Sequence, residues 1–156
     1  MKKSSAALTI VLVSAGLGFS AMAQAKRPID EAGRVVDQAM QYGFASFEEI
    51  EYKRFGRSEI EGFLADNDWY AEVTLNEAGE PQRERQSKRT HASASMTPDQ
   101  VRSALTAARD AGMVTVEEVQ IEGDGRVEVD GYDADKRELE VTFDPTSNEV
   151  IEVDHD

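Results

Sequence analysis

The feature that most constrains this chain is an internal repeat. Two stretches, Glu59–Asp66 and Glu128–Asp135, share one order of residues: acid, β-branched residue, acid, glycine, aromatic, and a final Ala-Asp. The second stretch begins 69 positions after the first (128 − 59), and five flanking residues recur at the same offset. They are Gly43, Glu48, Glu49, Gly56 and Arg57, which recur as Gly112, Glu117, Glu118, Gly125 and Arg126. Self-similarity at a fixed offset indicates two copies of one supersecondary unit.

The first repeat, residues 28–87, is predicted to contain one helix followed by four strands. Apolar residues at helical spacing predict a helix over Pro28–Tyr42, and Gly43 suits its C-terminal cap. The fourth strand is polar after its proline, which cannot donate to a ladder, so we expect an edge or frayed strand. The four predicted strands are Phe47–Lys53, Ser58–Ala65, Trp69–Asn76 and Pro81–Gln86.

The second repeat, residues 96–156, follows a small and polar linker over residues 88–95. Thr97 to Gln100 predict a helix start, because Thr caps, Pro fits the first helical position and Gln completes a capping box. Gly112 is predicted to end this helix. The four predicted strands are Val114–Glu122, Arg126–Asp133, Glu138–Phe143 and Glu149–Val153.

The expected fold class is therefore α+β, with two repeats that each pack one helix on a four-stranded antiparallel meander sheet. The first repeat is the less complete copy, because its fourth strand lacks apolar residues. A unit of about 60 residues has a marginal core when it folds alone. We therefore expect the sheets or the helices of the two units to contact each other.

Residues 1–25 have the pattern of a secretory signal peptide. Lys2 and Lys3 precede an apolar, uncharged run, and small-x-small sites end at Ala23 and Ala25. This pattern predicts export to the periplasm with cleavage after Ala25 or Ala23, and an uncleaved anchor helix is the alternative. Since the chain contains no cysteine, we expect no lipid anchor after cleavage.

Composition limits the possible partners. Seventeen basic residues against 31 acidic ones give a formal net charge of −14, which argues against binding to nucleic acid or anionic membranes. The charge favours cationic partners, although acidic residues also simply keep an exported protein soluble. Without cysteine the chain has no disulfide, thiolate nucleophile or Cys-ligated zinc. We find no phosphate loop or nucleophile elbow, so neither an enzyme nor a cofactor is predicted.

Acidic turns are the weak candidates for cation binding. Asp66 and Asp68 in one repeat, and Asp133 and Asp135 in the other, place carboxylate oxygens on turns, as a hard cation requires. Neither turn has the full calcium-binding loop, and Asp residues also stabilise turns without any metal.

The repeated glycines and their aromatic neighbours are the candidates for a partner surface. Gly62 and Gly131 lie inside predicted strands, where glycine usually marks a bulge or a close backbone approach. We expect a bend in each sheet, and a close approach of a partner strand is the alternative. Phe63, Tyr132 and Trp69 are exposed-surface candidates near these bends.

Five segments of the second repeat carry a family resemblance: Val101–Gly112, Val116–Ile121, Val127–Val129, Leu139–Asp144 and Ser147–Ile151. In these segments the chain resembles the PepSY family of exported bacterial domains, which is named partly from the propeptides of thermolysin-type metallopeptidases. The resemblance is good for the second repeat and weaker for the first, and Asn148 stands where the family typically has glycine. The resemblance implies a small, non-catalytic envelope module that inhibits or chaperones peptidases, with no catalytic residues.

The functional hypothesis is an exported, non-enzymatic binding or inhibitory module. It would recognise a peptide, a peptidase or another envelope protein through a sheet face or an open sheet edge. The alternative is a periplasmic cation sensor or buffer that binds Ca²⁺ or a transition metal on its acidic residues. The sequence leaves the oligomeric state open.

Overall fold

The computed structural model describes residues 26–65, 69–88 and 93–155, which form two helices and nine strands. The elements are β1 Arg27–Pro28, α1 Ile29–Tyr42, β2 Phe44–Tyr52, β3 Ser58–Leu64, β4 Trp69–Leu75, β5 Pro81–Lys88, α2 Pro98–Asp110, β6 Thr115–Ile121, β7 Val127–Tyr132, β8 Glu138–Asp144 and β9 Glu149–His155. The predicted signal peptide, residues 1–25, lies outside the described part of the chain. Among the described residues, no helix has the length and apolar character needed to cross a membrane.

All nine strands belong to one antiparallel sheet. Its strand order is β5-β4-β3-β2-β6-β7-β8-β9, and the short β1 also pairs with β6. The sheet continues through its middle because β2 pairs with β6, for example at Ile50 and Val119. The edges of the sheet are β5 and β9.

Both helices pack on the same face of the sheet and against each other. Their buried residues, such as Val35 and Val36 of α1 and Val101 and Leu105 of α2, join one hydrophobic core with the inward residues of the strands. The predicted capping box is confirmed: Thr97 Oγ1 accepts from the Gln100 backbone N–H at 3.2 Å, and Gln100 Oε1 accepts from the Thr97 N–H at 2.9 Å.

The α+β class is confirmed, but a separate four-stranded sheet for each repeat is not. The pairing of β2 with β6 joins all the long strands into one sheet. The physical reason is that separate sheets would leave the backbone of these two strands unpaired beside the fully buried Ile50 and Val119. The predicted polar edge strand is confirmed as β5, whose residues are all exposed.

Each of the two repeated glycines lies opposite an irregularity in the neighbouring strand. Gly62 pairs with Phe47 beside a register shift in β2, and Gly131 pairs with Val116 beside a register shift in β6. A Cβ atom on Gly62 would lie 2.2 Å from the Ser46 carbonyl oxygen. β2 approaches Gly62, and β6 approaches Gly131, too closely for a side chain at either position.

Candidate functional site: an acidic face of the sheet

The sheet face that lies opposite the helices is acidic. Residues that pair across neighbouring strands point to the same side of a sheet, so the strand register shows which side chains are neighbours. Ile50, Val119 and Val141 pair with other buried residues on the helix side. The alternate residues of the same strands are mostly Glu and Asp, and they form the opposite face.

Six of these acids form one row across six adjacent strands, which we call the acid ladder. Each member pairs directly with the next across a strand boundary. Neighbouring strands lie about 4.8 Å apart, so the carboxylates of a ladder come close together. Like charges directly opposite each other destabilise a sheet. The members are Glu59 of β3, Glu51 of β2, Glu118 of β6, Asp130 of β7, Glu140 of β8 and Asp154 of β9.

The centre of the acid ladder holds its protons more tightly than ordinary carboxyl groups. Partial burial, with the negative charges of Glu49 and Asp130, raises the pKa of Glu118 to about 7. Partial burial and the charges of Glu128 and Glu140 raise the pKa of Asp130 to about 6. Near neutral pH Glu118 is therefore only partly ionised, and a bound cation would favour its ionised form.

A basic residue, Lys53, lies at one end of the acid ladder. Lys53 contacts Glu51, and its Nζ lies 3.4 Å from a carboxylate oxygen of Glu59. Glu118 and Asp130 make no ion pair with any described basic side chain. The ladder members of β6 and β7, Glu118 and Asp130, therefore lie away from the Lys53 end of the ladder.

A shallow cleft lies beside Glu118 and Asp130. It encloses about 290 Å³ and is lined mainly by carboxylates. At its side, the Lys26 ammonium lies 3.2 Å from the centre of the Tyr132 ring, while the Tyr132 hydroxyl donates to Glu138 at 3.3 Å. The lining residues are Glu117, Glu118, Asp130, Gly131, Glu138, Leu139, Glu140 and Asp154.

Three carboxylates of this face are close enough to share a cation. Oxygen atoms of Glu128, Asp130 and Glu140 lie within 4.8 Å of one another. Gln120 donates to one Glu128 oxygen at 3.1 Å, which fixes that side chain. Oxygen ligands in this number suit a hard divalent ion that retains part of its water shell.

The acidic turns predicted as weak cation candidates have a different arrangement. The Asp133 carboxylate accepts from the backbone N–H groups of Asp135 and Arg137 at 2.8 and 3.0 Å, and it also pairs with the Arg137 guanidinium. Asp133 therefore serves to close its own turn, while Asp135 is largely exposed. Asp66 and Asp68 lie outside the described residues.

The predicted surface aromatics do not come together at one place. Phe63 packs edge-on against Tyr70, with ring centres 5.7 Å apart, on the acidic face near β5. Tyr132 is 8% exposed and lies beside the acid ladder, while Trp69 is 41% exposed at the start of β4. Gly131 lines the cleft, but Gly62 lies in the other half of the sheet.

The acid ladder itself is absent from the sequence predictions. The signal in the sequence was the pattern Glu-x-Glu or Glu-x-Asp within a strand. It begins, for example, at Glu49, Glu59, Glu128 and Glu138. Alternation shows that these acids share one face of their own strand. It does not show that the β2–β6 pairing aligns the two halves into a single row.

Comparison with known proteins gives one match. Residues 85–154 match the family model described as peptidase propeptide and YPEB domain. No curated protein gave a match, and neither did any solved structure. The matched residues contain α2, the strands β6 to β8 and most of β9, and therefore four of the six members of the acid ladder.

Proposed function

Since residues 85–154 form a domain of the PepSY family, we propose that this chain is an exported binding or inhibitory module that recognises a cationic partner protein. PepSY domains are generally non-catalytic modules of the propeptide or inhibitor type. We also infer that the chain is an internal duplication, in which a degenerate copy over residues 28–87 extends the sheet of the matched copy.

The acid ladder is the observation that carries this proposal. A row of directly opposed carboxylates costs folding free energy, because each raised pKa reflects repulsion and lost hydration. A surface that only maintained solubility would not need its acids aligned. A peptidase or envelope protein with a basic surface would neutralise the ladder, and its encounter would be accelerated electrostatically.

Capture from periplasmic extract tests the proposal. We expect the protein to retain specific cationic proteins at low salt and to lose them at high salt, since exposed charge pairs are screened. The ladder variant carries Glu118→Gln, Asp130→Asn and Glu140→Gln. The matched control carries three neutralisations on the exposed helix layer: Glu31→Gln, Asp99→Asn and Asp110→Asn.

Only the ladder variant should lose the captured proteins. Any captured peptidase is then assayed with and without the protein, and inhibition or assisted folding assigns the type of module. Equal capture by the two variants, or a captured set that does not change with salt, would refute recognition through the acid ladder.

Cation binding is the second candidate function, and the cluster of Glu128, Asp130 and Glu140 favours it. Calorimetry with Ca²⁺, Zn²⁺ and Cu²⁺ provides the test. We expect binding heat that Glu128→Gln and Glu140→Gln remove and that Asp135→Asn leaves unchanged. Absence of heat at millimolar metal would eliminate this candidate.

A further inference from the structure

The two open edges of the sheet differ in how well they are protected from a further strand. An edge strand is usually protected by charged side chains on both of its faces. The β5 edge has this protection, with Arg83 and Arg85 on the acidic face and Glu84 on the helix side. The β9 edge instead exposes Val150, Ile151 and Val153 by 43, 49 and 37%.

The apolar residues of β9 are exposed because the helix layer ends before this strand. Val150 pairs with Phe143 and Val153 with Val141, and both partners in β8 are buried. Helix α2 covers β7 and β8. A strand added beside β9 would place its own side chains next to Val153 and cover this apolar surface.

The acidic side of the same edge determines which strand would fit. Asp154 is the last member of the acid ladder, and Glu152 lies on the same face beside Thr142. Successive residues of an added strand point alternately to the two faces. Two residues beside Glu152 and Asp154 would therefore enclose one residue beside Val153, so basic, apolar, basic is the complementary order.

We propose that the β9 edge binds, by strand addition, an extended segment of the partner in which Lys or Arg alternates with apolar residues. This inference rests on the proposed function, because it locates the binding of the cationic partner. A second copy of the chain is the less favourable occupant. Its β5 would offer Arg83 and Arg85, but Glu84 between them would face Val153. Each copy also carries a formal net charge of −14, so two copies repel each other.

The test uses an eight-residue peptide of alternating Lys and Val and its Glu-Val counterpart. Protein recovered from the periplasm of expressing cells is titrated with each peptide, and amide hydrogen exchange locates the site. We expect only the Lys-Val peptide, and not the Glu-Val peptide, to bind and to protect amides of residues 149–155. Methylating alternate peptide nitrogens should abolish binding, because strand addition depends on backbone hydrogen bonds.

Val153→Lys is the decisive variant, and Val114→Lys is its matched control because Val114 is similarly exposed, at 44%, immediately before β6. We expect the first to weaken binding roughly ten-fold or more and the second to have no effect. Asp154→Lys, which leaves the apolar surface intact, should also weaken binding. Thermal melts verify that each variant is folded.

Several results would overturn the inference. They are protection on β5 or the sheet face instead of β9, equal binding by Val153→Lys and Val114→Lys, and an association of two copies that depends on Arg83 and protects β9. Capture of cationic proteins that is unaffected by Val153→Lys would leave the proposed function standing and reject the edge. Protection of β9 by the peptide without any captured protein would support binding at the β9 edge and reject the proposed function.

Discussion

Gly131→Ala tests the close approach of β6 and β7 beside the acid ladder. The new Cβ would lie 2.0 Å from the Thr115 carbonyl oxygen and 2.7 Å from the Met113 sulfur. The methionine side chain can rotate away, but the carbonyl belongs to the strand backbone. The contact is more than 1 Å shorter than an ordinary one, so β6 and β7 must separate locally.

The cost follows from what this separation breaks. Overpacking in a buried site costs about 1–3 kcal/mol, and each weakened ladder hydrogen bond costs about 0.5–1.5 kcal/mol. We expect Gly131→Ala to lower the free energy of unfolding by about 2–4 kcal/mol. For a chain of this size that corresponds to a fall in Tm of roughly 4–16 °C.

Urea unfolding followed by circular dichroism measures the change, and two other glycines provide controls. Gly62→Ala should be similarly destabilising, because its Cβ would meet the Ser46 carbonyl oxygen. Gly33 has no atom within 4 Å of its Cβ position and lies inside α1, so Gly33→Ala should stabilise by about 0.5–1 kcal/mol. A change below about 0.5 kcal/mol for Gly131→Ala would refute the reasoning.

Three further predictions concern pH, a turn and a helix cap. The raised pKa values of Glu118 and Asp130 mean that these carboxyl groups bind protons more tightly in the folded chain than in the unfolded chain. Tm should therefore fall as the pH rises from about 4 to about 7. Thermal melts of Glu118→Gln should show a weaker fall, and an unchanged profile would contradict the assignment. Asp133→Ala should lower Tm more than Asp135→Ala, because only Asp133 closes its turn; equal melts would contradict this role. Thr97→Ala should cost about 1 kcal/mol in urea unfolding through loss of the capping box, and no change would count against that cap.

The local structure was largely accessible from the sequence because it depends on neighbouring residues. The capping signals at Thr97 and the proline at the start of β5 correctly placed a helix and an edge strand. The bends expected at Gly62 and Gly131 stay a prediction, and each glycine lies opposite a register shift in the neighbouring strand. These features reflect backbone geometry that few residue types satisfy.

The continuous sheet could not be predicted from the sequence, because the periodicity of a strand does not identify which strand lies next to it. Glu51 and Glu118 each alternate correctly within their own strand, but only the β2–β6 register makes them direct neighbours. The same limit applies to the cluster of Glu128, Asp130 and Glu140, whose members come from two strands. Asp133 and Asp135 attracted attention because they are close in sequence, which says little about distance between carboxylates in space.

One edge of β6 is shared between two distant parts of the chain. Arg27 and Pro28 pair with Val116 and Thr115 at its start, while Ile50 and its neighbours pair with residues 118–120 farther along. During synthesis, the partner of both early segments is therefore made only after the rest of the first half and α2. Long-range pairing of this kind slows folding, and until β6 appears β2 remains an exposed edge. The order of translation thus leaves the first half of the protein open to edge-to-edge association until β6 has been made.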